Sequence, residues 1–237
     1  MAIGQSFKDI YDYKADIDRM EGRRRQSFPD IVDDDFWRLY DIGKKYSMLH
    51  VTGFFNLYSS IKYVVDNNVP GDFVECGVWL GGASLFAGLT FRHFGQPGRK
   101  VHMYDTFYGF PVGSRDVRLG KEVGGPQFDN FREAVENNLK REGFDNYVIK
   151  EGPVEQTLLS DVPQSISIVR LDTDFYPSTK VEMEVLYPNL STRGVVIIDD
   201  YGMYRGSRQA FDEYMAARGT TLLLNRLDIG IRTGIKI

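Results

Sequence analysis

Two short segments concentrate carboxylates where strand-like runs end. RLDTDFYPST (170–179) sets Asp172 and Asp174 one residue apart, just after the apolar run ISIV. VVIIDDYG (195–202) ends in the adjacent pair Asp199 and Asp200. A lone aspartate in such a place is ordinarily a helix cap or a solvated loop residue. A set at one edge is different, because like charges repel unless something cationic sits among them. Asp172, Asp199 and Asp200 offer only oxygen, with no histidine or cysteine beside them. Oxygen-only donors suit a hard divalent ion such as Mg²⁺ or Mn²⁺. The three histidines, His50, His93 and His102, are scattered along the chain.

A second group lies upstream. FVECGVWLGGASLF follows an apolar run with Gly77, Gly81 and Gly82, so the backbone can pass close to a ligand before a helix begins. The order of the glycines does not match the GxGxxG dinucleotide fingerprint, and no Walker lysine follows. Further on, VHMYDTF places Asp105 at the end of a second strand, where a carboxylate can accept the hydroxyls of an adenosine ribose. Glycine turn and acid together point to an adenosine-containing ligand. Cys76 reads as inert packing.

The elements that must carry these residues alternate. Stretches 72–76, 100–105, 147–150, 165–172 and 194–199 are short and rich in Val and Ile, as buried strands are. Stretches 81–95, 127–144, 177–190 and 207–219 have helical spacing, the last ending at Gly219. The tail from Thr220 predicts two closing strands. This alternation predicts a doubly wound α/β sheet over 71–237, preceded by a helical cap in 1–70. In such sheets ligands bind beyond the carboxyl ends of the strands, and all the acids named above fall there. The chain has 237 residues, 42% hydrophobic and 26% charged, with a net charge of −4 that gives no reason to expect nucleic acid as a partner. No apolar run approaches a membrane span, the N-terminus lacks the apolar core of a signal peptide, and one cysteine excludes an internal disulfide. A soluble, cytoplasmic protein is expected. The aromatic-rich segment 36–65 predicts a homo-oligomer with N-terminal helices at its interface.

Four segments, VPGDFVECGVWLGGAS, YDTFYGFP, RLDTDFYPSTKVEMEVLYPNL and GVVIIDDYG…GSRQAFDEY, together resemble the macrocin O-methyltransferase family. The resemblance runs from about residue 45 to the C-terminus. It implies a seven-stranded Rossmann-like sheet, S-adenosylmethionine as methyl donor, a divalent metal and a sugar hydroxyl as acceptor. It maps metal ligands onto Asp172, Asp199 and Asp200. It maps cofactor contacts onto Glu75, Gly77, Gly81, Ser84 and Asp105, with Asp172 at the same pocket. Gly152 and Val154 correspond to the adenine-side loop. Tyr46, Ser47 and Met48 correspond to a segment that closes over the cofactor. Thr173 replaces a more usual Gly, and His50 stands where many relatives carry a small hydroxyl residue.

A sugar hydroxyl is a weak nucleophile until it loses its proton, so a metal and a general base are both expected. Asp174 is the first candidate base, followed by His50 and Glu122. Tyr108, Phe110 and Tyr201 follow strand ends and are the candidate acceptor-pocket aromatics. A catechol-like or other vicinal-diol acceptor satisfies the same residues. A non-catalytic partner protein does not explain why the repelling carboxylates are retained.

Overall fold

The computed structural model describes residues 23–160 and 162–237. The N-terminal stretch in which a signal peptide was sought lies outside the described residues. Apart from single helical turns at Arg24–Ser27 and Val154–Thr157, the main elements are helices α1 (Asp34–Gly43) and α2 (Val51–Asp66), then β1 (Asp72–Cys76), α3 (Gly82–His93), β2 (Val101–Asp105), the hairpin β3 (Arg115–Arg118) and β4 (Lys121–Gly124), α4 (Arg132–Arg141), β5 (Tyr147–Glu151), β6 (Ile166–Leu171), α5 (Tyr176–Asn189), β7 (Leu190–Ile198), α6 (Arg205–Ala217), β8 (Asn225–Arg226) and β9 (Arg232–Ile235). Among these helices none is long and apolar enough to cross a membrane.

Seven strands form one sheet in the order β5-β2-β1-β6-β7-β9-β8, as expected for a seven-stranded α/β fold. The first five run parallel; β9 is antiparallel to β7, and β8 to β9. Alternate side chains of each strand feed two apolar layers. Phe73, Ile168 and Ile197 face the side covered by α1–α4, while Val74, Val169 and Val196 face α5 and α6. The chain winds outward from β1 to β2 and β5, then returns to place β6 on the other side of β1. The order reverses between β1 and β6, and ligand sites form at such a reversal.

The N-terminal helices pack on α3 through aromatic edges: Phe36 meets Phe86 at 6.1 Å between centroids and Phe54 meets Phe86 at 4.9 Å. Phe36, Phe54 and Tyr58 are buried within the chain. Much of the apolar content that suggested an oligomer interface packs in the chain's own core, while Phe55 and Tyr63 stay half-buried. Two element boundaries differ from the sequence reading. The α4 helix starts at Arg132 and not near 127, because Gln127 is held in a bridge to Gly109. The β3–β4 hairpin was not foreseen, since RDVR and KEVG are polar and carry no strand-like apolar pattern.

Candidate functional site at the β1–β6 carboxyl edge

The glycine turn after β1 is built around one carboxylate. Asp105 Oδ2 accepts the backbone N–H groups of Val78 (2.6 Å) and Trp79 (3.2 Å), and Oδ1 accepts that of Phe107 (2.7 Å). Burial pushes the Asp105 carboxyl up, and these three amides pull it back. Asp105 thus fastens the turn. Gly77 has φ +82°, and a Cβ there would lie 1.9 Å from the Asp172 carbonyl oxygen. Its missing side chain lets β1 and β6 end in contact, where Asp172 N–H donates to the Cys76 carbonyl at 2.9 Å. A Cβ on Gly82 would strike the Gly43 carbonyl oxygen at 2.4 Å and Ser47 Cβ at 2.6 Å, so the cap segment rests on the start of α3.

The other residues mapped to cofactor contacts are distributed unevenly. Gly81, at the N-cap of α3, is left-handed with φ +87°. Gly152 donates its N–H to the Asp105 carbonyl at 2.9 Å, and Val154 is buried after it. Tyr46 is buried with its hydroxyl donating to Glu142 at 2.8 Å. Ser47 Oγ accepts the N–H of Leu49, and Met48 is exposed. Glu75 and Ser84 are wholly buried and bonded to each other, and the second oxygen of Glu75 takes the Arg170 guanidinium. Their polar atoms are turned into the core, where they support the site from behind.

Arg170 organises the acidic edge. It stands near the carboxyl end of the buried strand β6, between Val169 and Leu171, and sequence reasoning missed it. Its Nη1 reaches Glu75 and Asp172, each at 2.6 Å, and its Nη2 reaches Asp199 at 2.5 Å. Burial acts to lower its pKa, but the three carboxylates outweigh that and hold it well above the ordinary arginine value.

Beside Arg170, carboxylate oxygens of Asp172, Asp174 and Asp200 all lie within 4.8 Å of one another. Asp174 thus converges with Asp172 and Asp200, while Asp199, the third acid of the expected metal set, is paired with Arg170. Burial raises all three carboxyls, with help from their mutual repulsion. Asp172 and Asp200 are pushed well above the usual carboxylate range and Asp174 up to about 7. Asp174 has φ +66°, and its N–H donates to Asp200 Oδ2 at 3.1 Å. Three crowded oxygen donors of raised pKa are a donor set that a hard divalent cation would relieve.

The remaining candidates fall into two groups. Phe110 packs edge-on against Phe175 at 4.8 Å, directly after Asp174, and Phe175 packs against Tyr204 at 5.9 Å. Tyr204 thus occupies the place beside the acids that was assigned to Tyr201. Tyr201 instead donates its hydroxyl to Asp212 on α6 and packs on Phe211. Tyr108 is half-buried in the turn after β2, its carbonyl accepting the Phe128 N–H. Among the other base candidates, Glu122 is exposed on β4 and His50 is the N-cap residue of α2. The hairpin leans on the same edge. Leu119 N–H donates to the Met203 carbonyl at 2.9 Å, the Arg118 guanidinium lies 5.3 Å from the Tyr204 ring centre, and Asp116 accepts the Gly206 N–H at the start of α6.

The macrocin O-methyltransferase family model matches residues 19–232. The chain belongs to this family. It is 33% identical over 178 residues to demethyldecarbamoylnovobiocin O-methyltransferase of Streptomyces niveus, covering 72% of this chain and 68% of that one. Mycinamicin III 3''-O-methyltransferase of Micromonospora griseorubida is 30% identical over 173 residues, covering 69% and 68%. Among solved structures, the O-methyltransferase NovP superposes with a TM-score of 0.72 at 28% identity, covering 81% of this chain and 82% of that one. The calicheamicin methyltransferase CalS11, at 19% identity and a TM-score of 0.58 over 85% and 91%, shares the fold. As a macrocin O-methyltransferase family member with this fold, the chain is a methyltransferase.

Proposed function

We propose that this methyltransferase moves the methyl group of S-adenosylmethionine to a hydroxyl of a sugar carried by a glycosylated small molecule. The observation that carries the reading is the convergence of Asp172, Asp174 and Asp200 beside the Asp105-fastened glycine turn, at the one reversal of strand order. Two relatives, the O-methyltransferases of demethyldecarbamoylnovobiocin and of mycinamicin III, support the acceptor class.

Asp105 and the 77–81 turn would bind the adenosine end of the methyl donor, with Gly152 and Val154 flanking it. Asp172, Asp199 and Asp200 would hold a hard divalent cation such as Mg²⁺, Asp199 while also paired with Arg170. When bound, that cation supplies positive charge beside the acceptor oxygen and makes its proton easier to remove. Asp174 would take that proton. The acceptor oxygen then forms its bond to the methyl carbon as the carbon–sulfur bond breaks, and the sulfonium leaves as a neutral thioether. Phe110, Phe175 and Tyr204 form an apolar wall that excludes water and orients the sugar; correct placement of reactants contributes about 7–11 kcal/mol in favourable cases.

The test combines a binding and a turnover measurement. Calorimetry with S-adenosylhomocysteine reads the donor site without any acceptor. Mass spectrometry after incubation with S-adenosylmethionine, Mg²⁺ and the relatives' acceptors reads transfer as a single added methyl. Expected are donor binding and a methylated glycoside that disappears in EDTA. Absence of donor binding overturns the reading; donor binding with EDTA-insensitive transfer removes the metal from it.

A further inference from the structure

Glu182 has no role in the scheme above, yet it is a buried acid beside the site with one oxygen left unpaired. It sits in the middle of α5 with no exposed surface. Burial raises its carboxyl to about 8. Oε1 accepts the Thr173 hydroxyl proton at 2.8 Å, while Oε2 has no hydrogen-bond partner among the described residues. The Cys76 thiol beside it is a weak donor at best. A half-satisfied buried carboxyl destabilises a fold relative to an apolar residue of the same size.

Its one good bond lands on the residue between Asp172 and Asp174. That turn is tight: Phe175 N–H donates to the Thr173 carbonyl at 2.7 Å, and Asp174 is held in the left-handed region. Left-handed backbone is unfavourable for a residue with a side chain unless its surroundings fix it. Two ties fix this turn from opposite sides, the Asp174 amide on Asp200 and the Thr173 hydroxyl on Glu182.

We propose that Thr173 and Glu182 form a buried strut that sets the spacing of the Asp172 and Asp174 carboxylates, making both positioning residues for methyl transfer. The cation-binding arm of the test rests on the metal reading above; the backbone arm does not. α5 holds the strut rigidly because its neighbours Met183 and Leu186 are buried against the sheet. Either end can be cut without touching an acid of the site.

Thr173→Val and Glu182→Met cut the strut. Thr173→Ser and Glu182→Gln keep a hydroxyl and an acceptor oxygen. Three readouts apply to the whole chain: Mn²⁺ affinity by electron paramagnetic resonance, amide hydrogen exchange of the 172–176 segment, and melting temperature. Expected for the cut variants are Mn²⁺ binding weakened about fivefold, the equivalent of one ordinary buried hydrogen bond, and faster exchange at Asp174. The melting temperature of Glu182→Met should hold or rise, as a half-satisfied acid is removed from the core, while that of Thr173→Val should fall, because the buried acid loses its one good bond. The conservative variants should match wild type. Wild-type affinity and exchange in both cut variants overturn the strut. So does a melting loss common to Glu182→Met and Glu182→Gln, which marks an ordinary core residue. If the wild-type chain binds no Mn²⁺, the metal reading fails while unchanged or faster exchange in Thr173→Val still decides the strut.

Discussion

The two ends of the site use the same residue type in opposite ways. At the β2 end, Asp105 is surrounded by donors: three backbone amides converge on it and none of its neighbours is another acid in contact. At the β6–β7 end, Glu75, Asp172 and Asp199 share one buried guanidinium, and Asp172, Asp174 and Asp200 crowd within 4.8 Å of one another. A carboxylate met by oriented amides stabilises its loop and leaves a shaped, finished surface for a ligand. Carboxylates in excess of their cations store repulsion, which a bound cation releases. In the proposed scheme the finished end takes the methyl donor and the electrostatically unfinished end takes the reacting hydroxyl.

The comparison breaks most visibly at Arg170. Arg170→Met leaves Glu75 buried without its cation, a loss of about 3–5 kcal/mol. In a chain of this size that corresponds to a melting temperature lower by about 10 °C. An unchanged melting curve in EDTA would mean that Glu75 is protonated and the edge is not organised by charge.

A smaller but more selective effect is expected at the acids themselves. Asp199→Asn or Asp200→Asn should lower methyl transfer at least about 100-fold, as removal of a single electrostatic element in other sites does. Affinity for S-adenosylhomocysteine should stay within about twofold, since in the proposed scheme these acids act on the acceptor. Equal losses of donor binding and turnover would erase the distinction between the two ends. Full transfer by Asp199→Asn in excess EDTA would remove the cation.

Asp105→Ala should do the reverse. Three amides lose their acceptor, and donor affinity should fall by about tenfold, the value of one charge-assisted hydrogen bond. Mn²⁺ binding at the acidic edge should not change. Calorimetry with each ligand in turn measures both halves of this expectation.

The smallest effect is in pH. Asp174 titrates at about 7 in the folded chain against an ordinary value of 3.8, because burial and Asp172 disfavour its charge. A raised carboxyl keeps in the folded state a proton that the unfolded chain releases. Its contribution is complete below about pH 4 and is lost as pH rises through 7. In EDTA, the melting temperature of the wild-type chain should therefore drop by a few degrees between pH 5.5 and 8.5 relative to Asp174→Asn, which adopts the same left-handed backbone without a charge. Mg²⁺ should close the gap. Parallel curves for the two chains would show that Asp174 does not feel its neighbours.

Much of this architecture is written in local pattern. Val- and Ile-rich runs alternating with helical spacing specify the parallel strands, because burial on both faces demands continuous apolar residues. The closing strands after Thr220, the left-handed Gly81 and Gly219, and the acids at strand ends follow from short-range rules of the same kind. Family membership was likewise legible, since the motifs that carry it are contiguous. What local pattern could not give is which charges meet. Arg170 looks like an interruption in an apolar strand, and only the pairing of β6 with β1, 95 residues away in sequence, turns it toward Glu75. Asp199 pairs with Arg170 while Asp174 converges with Asp172 and Asp200, because the guanidinium attracts one and the left-handed turn presents the other. Glu182 reads as a solvated mid-helix residue until the face of α5 that meets the sheet is known. Tyr204 supplants Tyr201 because the hairpin, unmarked by any apolar pattern, docks beside it. Sequence thus determined the elements, their order and the edge where the acids gather. Tertiary structure decided which acid is bonded and which is left in excess, because the energy of a buried charge depends on partners that folding brings from afar.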